Sequence, residues 1–237
     1  MNKPNKPLNG KAYGSIPHVP SSENGGDKVI PQGQADIIFD GGRDDKDTVI
    51  STLKYDGSCT AVAKTNGEII PLMRSGYPAK ESNYKQHHLF HQWVYNRYDL
   101  FDDMLDDDER IVGEWLLQAH GTKYEIDNHD LLWVGFDLYV DGERQTFDAL
   151  MNKLYGYRLW QCIHQLGPVS SIYQFGEFEK RLSAQNEHEG IVYRVEREGE
   201  VDYMAKWVRD KRNVKYLPGV ENSIVDEPVW NYPPEEV

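Results

Sequence analysis

Thr52-Leu53-Lys54-Tyr55-Asp56-Gly57-Ser58 ends an apolar run with a lysine, an acid two residues on and a glycine after it. The preceding Thr48-Val49-Ile50 is β-branched and predicts a strand, from whose end Lys54 projects into any cavity there. A lysine amine attacks phosphorus only when neutral, and a reference pKa near 10.4 leaves about one molecule in a thousand neutral at about pH 7.4. Burial and nearby cations lower a lysine pKa, whereas Asp56 raises it, so a nucleophilic Lys54 calls for further positive charge. The same residues also read as a surface lysine beside an Asp-Gly turn. The rest of the chain decides between the two.

With 237 residues, 39% of them hydrophobic, the chain can bury a substantial core as one large domain or two small ones. It has neither a run long enough for a membrane span nor the apolar segment of a signal peptide, so the expectation is a cytoplasmic protein without membrane contact. Cys59 and Cys162 fall short of a disulfide framework or cysteine zinc site and read as free thiols. A net charge of -13 excludes general adhesion to nucleic acid; a polynucleotide would need a local basic face.

Residues 1–35, rich in Gly, Pro, Asn and Ser, predict an irregular arm that packs on the core through Ala12-Tyr13-Gly14-Ser15-Ile16-Pro17. Cys59–Lys64 and Ile69–Met73 flank Asn66-Gly67, a strong hairpin signal. From Ser82 or Asn83, Phe90, Trp93, Val94, Arg97 and Phe101 recur at helical spacing until the acidic run Asp102–Glu109, which reads as a solvated loop rather than a metal site. His87, His88 and His91 cluster on this helix, but His-His-x-x-His is not a standard metal-ligand spacing there, and they read as core or surface residues. Ile111–Leu116 and Leu131–Val140 predict strands, the second closed by Asp141-Gly142. Thr146 caps a helix expected to run to about Leu166, before Gly167-Pro168, and Val169–Tyr173 reads as a short strand. Glu189–Val195 and Val201–Val208 form a last hairpin around Glu198-Gly199, and residues 218–237 predict a Pro-rich tail extended on the surface. Strand runs outnumber helices in an order that implies α+β: antiparallel sheets flanked by helices, spanning residues 36–217.

Lys54, Glu114, Glu189 and Lys206 each place a charge beside or within an apolar strand, where a structural residue would more often be Val or Ile. Burying such charges is costly unless they meet each other or a ligand. One lysine as nucleophile, a second cation on phosphate, and glutamates for a sugar hydroxyl and a metal make an inventory suited to phosphoryl or nucleotidyl transfer.

In these residues the chain resembles the covalent nucleotidyltransferases, which comprise ATP-dependent RNA ligases, DNA ligases and mRNA capping enzymes, and it is most similar to the RNA ligase branch. The likeness rests on Lys54-Tyr55-Asp56-Gly57-Ser58, Gly113-Glu114-Trp115-Leu116, Gly135-Phe136-Asp137-Leu138, Glu189-Gly190-Ile191-Val192 and the Lys206 strand, in the family's order, with Ala12–His18 and Gln86–Phe90 also similar to some bacterial relatives. The resemblance implies the ligase adenylation fold, with ATP and Mg²⁺ or Mn²⁺ as cofactors. It implies that Lys54 forms a lysyl-AMP phosphoramidate aided by Asp56, that Glu114 binds ribose, Phe136 stacks on adenine, Glu189 binds the metal and Lys206 contacts the α-phosphate. Arg74 stands where the family often has a basic residue near the nucleotide or polynucleotide end. The implied partner is RNA bearing a 5′-phosphate and a 3′-hydroxyl, joined by a monomer.

Three departures accompany the likeness. The second lysine usual in the last motif is Val208, so Arg209 or Lys211 would have to replace its charge. Leu53 precedes the nucleophile where relatives often carry a polar residue, leaving adenine selection to backbone groups. The 31 residues after Lys206 are too few for an OB-fold domain, so a bare adenylyltransferase core is expected. DNA ligases commonly carry arginine five positions after the lysine; Cys59 there favours RNA. The competing readings are an adenylyl- or guanylyltransferase with another acceptor, and a non-catalytic module that binds nucleotides or RNA ends.

Overall fold

The computed structural model describes residues 5–23, 28–157, 189–209 and 215–237. Among these residues two antiparallel sheets carry the fold, as the α+β expectation required. Strands β1 (Asp47–Lys54), β7 (Gly190–Arg197) and β8 (Glu200–Val208) lie in the order β1-β7-β8. Strands β2 (Ser58–Thr65), β3 (Glu68–Met73), β4 (Glu109–Trp115), β5 (Trp133–Val140) and β6 (Glu143–Arg144) lie in the order β3-β2-β4-β5-β6. Tyr55-Asp56-Gly57 is therefore the crossing from the smaller sheet to the larger one. The three predicted hairpin turns close as expected, with positive φ at Asn66-Gly67, Asp141-Gly142 and Glu198-Gly199.

Four α-helices among the described residues cover the sheets. Helix α1 (Gln32–Asp40) starts inside the stretch expected to be irregular and packs Ala35, Ile38 and Phe39 against Ile191, Tyr193 and Trp207 of the smaller sheet. Helices α2 (Lys85–Tyr95) and α3 (Tyr98–Met104) bury Phe90, Trp93 and Phe101 against Trp115 and Trp133 of the larger sheet.

The single helix expected over this region is two, for a local reason. Arg97 turns its guanidinium over the Trp93 ring at 4.3 Å and donates from Nη1 to the Trp93 carbonyl, while its own N–H bonds to Val94 instead. The start also falls later than expected, because Ser82 is extended and its hydroxyl takes the Tyr84 N–H. Helix α4 (Phe147–Gly156) is capped by Thr146, as predicted, and the rest of the helix expected to Leu166 lies, past Tyr157, outside the described residues. The expected strand Val169–Tyr173 and Cys162 lie outside the described residues.

The acidic run is less solvated than expected. Asp102 pairs with Lys64 at 2.9 Å, and buried Glu109 pairs with Lys153 at 2.7 Å. The tail is likewise more than a surface strand: Ala119 N–H donates to the Val229 carbonyl and Asn231 N–H to Leu117, and the buried Asn231 amide bridges the Leu116 carbonyl and the Tyr124 N–H. Residues 116–119 run on past β4 with backbone groups in need of partners, and the tail supplies them. The N-terminal arm docks similarly, with Val19 N–H donating to the Lys206 carbonyl and Lys206 N–H to Pro17 along the outer edge of β8.

Candidate active site

Lys54 is the last residue of β1, opposite Gly190 at the start of β7, so Glu189 enters the smaller sheet beside it and donates its N–H to the Lys54 carbonyl at 2.9 Å. Glu114 arrives from β4, opposite Cys59 and Val134. Between β4 and β5 the register shifts, pairing Val112 with Asp137 but Gly113 with Gly135, which leaves Phe136 as the extra residue of a bulge. Its ring meets Tyr13 edge-on at 5.3 Å. Lys206 sits on β8 opposite Val192. All eight residues singled out from the sequence, Leu53, Lys54, Asp56, Arg74, Glu114, Phe136, Glu189 and Lys206, line one cavity of about 780 Å³.

The glycines beside these charges are demanded by space. A Cβ at Gly57 would stand 2.4 Å from the Trp115 carbonyl oxygen, and one at Gly190 2.1 Å from that of Trp207. Close backbone approach at these two points lets Lys54, Glu114 and Glu189 converge although they come from β1, β4 and the residue before β7, in two sheets.

Their convergence sets the electrostatics. The Lys54 ammonium is ion-paired with Glu189 Oε2. Burial alone would lower its pKa, but the carboxylates of Glu189, Glu114 and Asp56 outweigh burial and raise it well above the ordinary value. The positive surroundings expected for a nucleophilic lysine are thus reversed in the protein by itself. Asp56 Oδ2 accepts the N–H groups of Gly121 and Thr122 at 2.7 and 2.8 Å, fixing the loop after β4 against motif residue and sheet alike.

Glu114 accepts the Gly57 N–H at 3.1 Å, and its pKa is raised to about 7, mainly by burial, with Lys54 opposing and Glu189 and Asp56 adding. The folded protein holds this proton to about pH 7, whereas the unfolded chain releases it near 4.5, so ionisation opposes folding and this group's contribution to stability falls as pH rises across that window. Glu114→Gln is therefore expected to stabilise the ligand-free protein by about 1–2 kcal/mol at pH 8 and to do nothing at pH 4. Denaturant melts of both proteins across this range check it; parallel curves would show that the site does not perturb Glu114.

Other cavity residues were less visible in the sequence. Arg209 lines the cavity, with its guanidinium donating to the Thr122 hydroxyl at 3.0 Å, while Val208 is 0% exposed. Lys211 lies outside the described residues. Arg74 donates to the Gly14 carbonyl and the Ser15 hydroxyl, both at 3.1 Å, and so braces the arm at the cavity rim. His120 and His87 also line the cavity, the ring of His87 held near pKa 4 chiefly by burial and that of His120 pushed down for the same reason. No spacing signal marked His120; it is held at the site by Asp56, which takes the N–H groups of the two residues that follow it, and by the Tyr216 N–H, which donates to its carbonyl at 2.8 Å.

Residues 47–208 match the model of the RNA ligase family. No curated protein matches the chain. Among solved structures, an Aquifex aeolicus protein assigned as an ATP-dependent DNA ligase is similar at 16% identity and a TM-score of 0.53, over 83% of this chain and 49% of that one. An archaeal ATP-dependent RNA ligase is similar at 16% identity and a TM-score of 0.51, over 83% and 48%. A variant of the Naegleria gruberi RNA ligase with ATP and Mn is similar at 14% identity and a TM-score of 0.51, over 85% and 58%. At these identities the likeness is one of fold, and this chain spans about half the length of the first two of these structures.

Proposed function

The chain belongs to the RNA ligase family, and from that premise we propose that it is an ATP-dependent RNA ligase that adenylylates itself on Lys54, passes AMP to an RNA 5′-phosphate and seals that end to a 3′-hydroxyl. The observation that carries the reading is the pairing of Lys54 with Glu189 inside a cavity of about 780 Å³ that also holds Glu114, Phe136 and Lys206. In the first step the Lys54 amine bonds to the α-phosphorus, the bond from that phosphorus to the bridging oxygen breaks, and pyrophosphate leaves. In the second the N–P bond breaks as the RNA 5′-phosphate takes AMP, restoring the lysine. In the third the 3′-hydroxyl displaces AMP and closes the phosphodiester.

Each chain residue has a task in this scheme. Glu114 takes the ribose hydroxyls, Phe136 stacks on adenine, Lys206 lies against the α-phosphate, and Asp56 holds the loop that carries His120. Arg209 is placed to add the charge that Val208 lacks. Leu53 offers only backbone groups to adenine. The residues fit a divalent cation with phosphates as co-ligands: three carboxylates crowd one lysine, yet no trio of His, Cys, Asp or Glu among the described residues is arranged to hold a metal alone. Glu189 is the carboxylate that would bind Mg²⁺ or Mn²⁺, and such an ion neutralises phosphate charge. The fold alone does not separate RNA from DNA. Cys59 favours RNA, because its half-buried thiol, driven upward in pKa by burial and then by Glu114, offers no cation where DNA ligases commonly carry arginine. Among the described residues no helix is long and apolar enough to cross a membrane.

The test is incubation with α-labelled ATP or GTP and Mg²⁺. A covalent adduct is expected with ATP, stable to alkali and labile to acid as a phosphoramidate is. Adduct with GTP instead would replace the ligase reading by a guanylyltransferase one, and no adduct with either would leave a binding module.

A further inference from the structure

The outer face of α2 departs from what a solvated helix in this chain should carry. An amphipathic helix normally turns charges outward, and the chain has 39 Asp and Glu residues. Yet residues 82–98 contain none; Tyr84, His88 and Tyr95 are exposed at i, i+4 and i+11, and His87, His91 and Tyr98 lie half-buried beside them at i+3, i+7 and i+14. Tyr84 is 67% exposed and Tyr95 47%, among the largest exposed hydrophobic side chains described.

The rings meet in two groups, one at the N-terminal end of α2 and one running from its last turn into the first residue of α3. Tyr84 meets His87 at 5.8 Å, His91 meets Tyr95 at 4.4 Å, and Tyr95 meets Tyr98 at 5.9 Å. The row starts at the active site, since His87 lines the cavity and the neighbouring Gln86 accepts from Ser58, next to the Lys54 motif. Lys85 lies within the acid-free stretch, and Lys80 is close enough to act on His91 electrostatically.

We infer that this face is a stacking platform for single-stranded RNA entering the active site, its bases laid on the tyrosine and histidine rings of α2. The inference rests on the ligase reading for the identity of the strand, and on the ring geometry for the site. Successive aromatic faces bind bases whatever their sequence, and a helix that carries Lys85 and no acid of its own, leading out of the active-site cavity in a chain of net charge -13, is where a polyanion can approach, with Glu68 of β3 acting only on Tyr95 at its far end. The span suits a short segment: eleven steps along α2 from its N-cap Tyr84 to Tyr95 rise about 16 Å, room for about five stacked nucleotides at roughly 3.4 Å each. A protein partner would more often meet a face of aliphatic and aromatic side chains with a charged rim; repeated imidazole and phenol rings leading from a phosphate-handling cavity fit nucleobases better.

The experiment measures binding of a fluorescent 5′-phosphorylated single-stranded RNA to the full chain, without ATP, and of the same RNA annealed to its complement. Tyr84→Ala combined with Tyr95→Ala is expected to weaken single-strand binding by at least about tenfold, since each lost stack removes a base–aromatic contact. The double Tyr→Phe variant should retain binding, because the ring rather than the hydroxyl makes the stack. The salt slope of the alanine variant should match wild type, as no phosphate contact is removed.

Unchanged single-strand affinity in the alanine variant would overturn the proposal, as would an equal loss on the duplex or failure of the phenylalanine variant to bind. Sedimentation of the wild type adds a separate check: self-association abolished by the alanine variant, with RNA affinity intact, would make the face a contact between copies and overturn it too. The assay uses no nucleotide, so a missing lysyl-AMP adduct would sink the ligase reading while leaving this platform standing.

Discussion

Lys54→Ala and Lys54→Arg are both expected to lose the ATP-derived adduct completely, because the Lys54 nitrogen is the atom that bonds to phosphorus in the proposed reaction. The arginine variant carries the weight of this test. It keeps a cation opposite Glu189, Glu114 and Asp56, so the charge balance of the cavity survives, but a guanidinium does not deprotonate in proteins and cannot attack. Adduct formation is measured from labelled ATP and Mg²⁺ on denatured protein, and label retained by either variant would show that another residue is the nucleophile. The alanine variant differs from the arginine one in stability. Without the ammonium, three carboxylates share the cavity, and their mutual repulsion should lower the melting temperature at pH 8 and relax as pH falls and they take up protons. A fall for alanine with near-wild-type melting for arginine would separate the charge of Lys54 from its chemistry.

That separation matters because the sequence and the structure disagree about the surroundings of Lys54. Read as a linear stretch, it needed nearby cations to lower its pKa. In three dimensions the first neighbours are Glu189, the residue before β7, and Glu114, the last but one residue of β4, so the ammonium is held charged in the protein by itself. Short-range features were legible: Asn66-Gly67 announced its hairpin because both positions adopt positive φ, and charges set in apolar strands announced the cavity. Contacts made over long sequence separations were not. The break at Arg97 depends on a guanidinium lying on Trp93, and the docking of the tail depends on Asn231 meeting the backbone of 116 and 124. Helix α1 was hidden because its apolar residues Ile37-Ile38-Phe39 are contiguous and follow Gly33, so they show little helical period in a Gly- and Pro-rich stretch. The stripe on α2 was missed because each of its rings, taken alone, has an ordinary explanation.

Asp137→Ala is expected to be the most destabilising single change outside the aromatic core. Its carboxylate is 0% exposed and accepts from Arg194 Nη2 and Arg144 Nε, each at 2.7 Å. Arg194 belongs to β7 and Asp137 to β5, so this one acid ties the smaller sheet to the larger behind the cavity that Arg194 lines. Arg194 also donates to the Gln145 carbonyl at 2.8 Å, and Glu196 accepts the Phe147 N–H at 2.6 Å at the start of α4. Removing the acid leaves the buried Arg194 guanidinium with only Glu196, 3.7 Å away and already accepting from Phe147, a change that costs about 3–5 kcal/mol, a large share of the roughly 5–15 kcal/mol that holds a domain folded. The loss should reach the site as well, since Phe136 precedes Asp137 in the β5 bulge, and nucleotide affinity should fall even where the variant remains folded. The discriminating variant replaces the three most buried charges of the cluster by neutral residues of similar size, Asp137→Leu, Arg194→Met and Glu196→Gln, and leaves Arg144, whose side chain is 26% exposed, to solvent. If the cost arises from an orphaned charge, this triple variant should recover most of the stability lost by Asp137→Ala, because replacing a whole buried ion pair is often neutral. Denaturant titration of the wild type and the two variants decides it. A triple variant as unstable as the single one would mean that the two sheets are held together by the geometry of these hydrogen bonds rather than by the need to pair a buried charge.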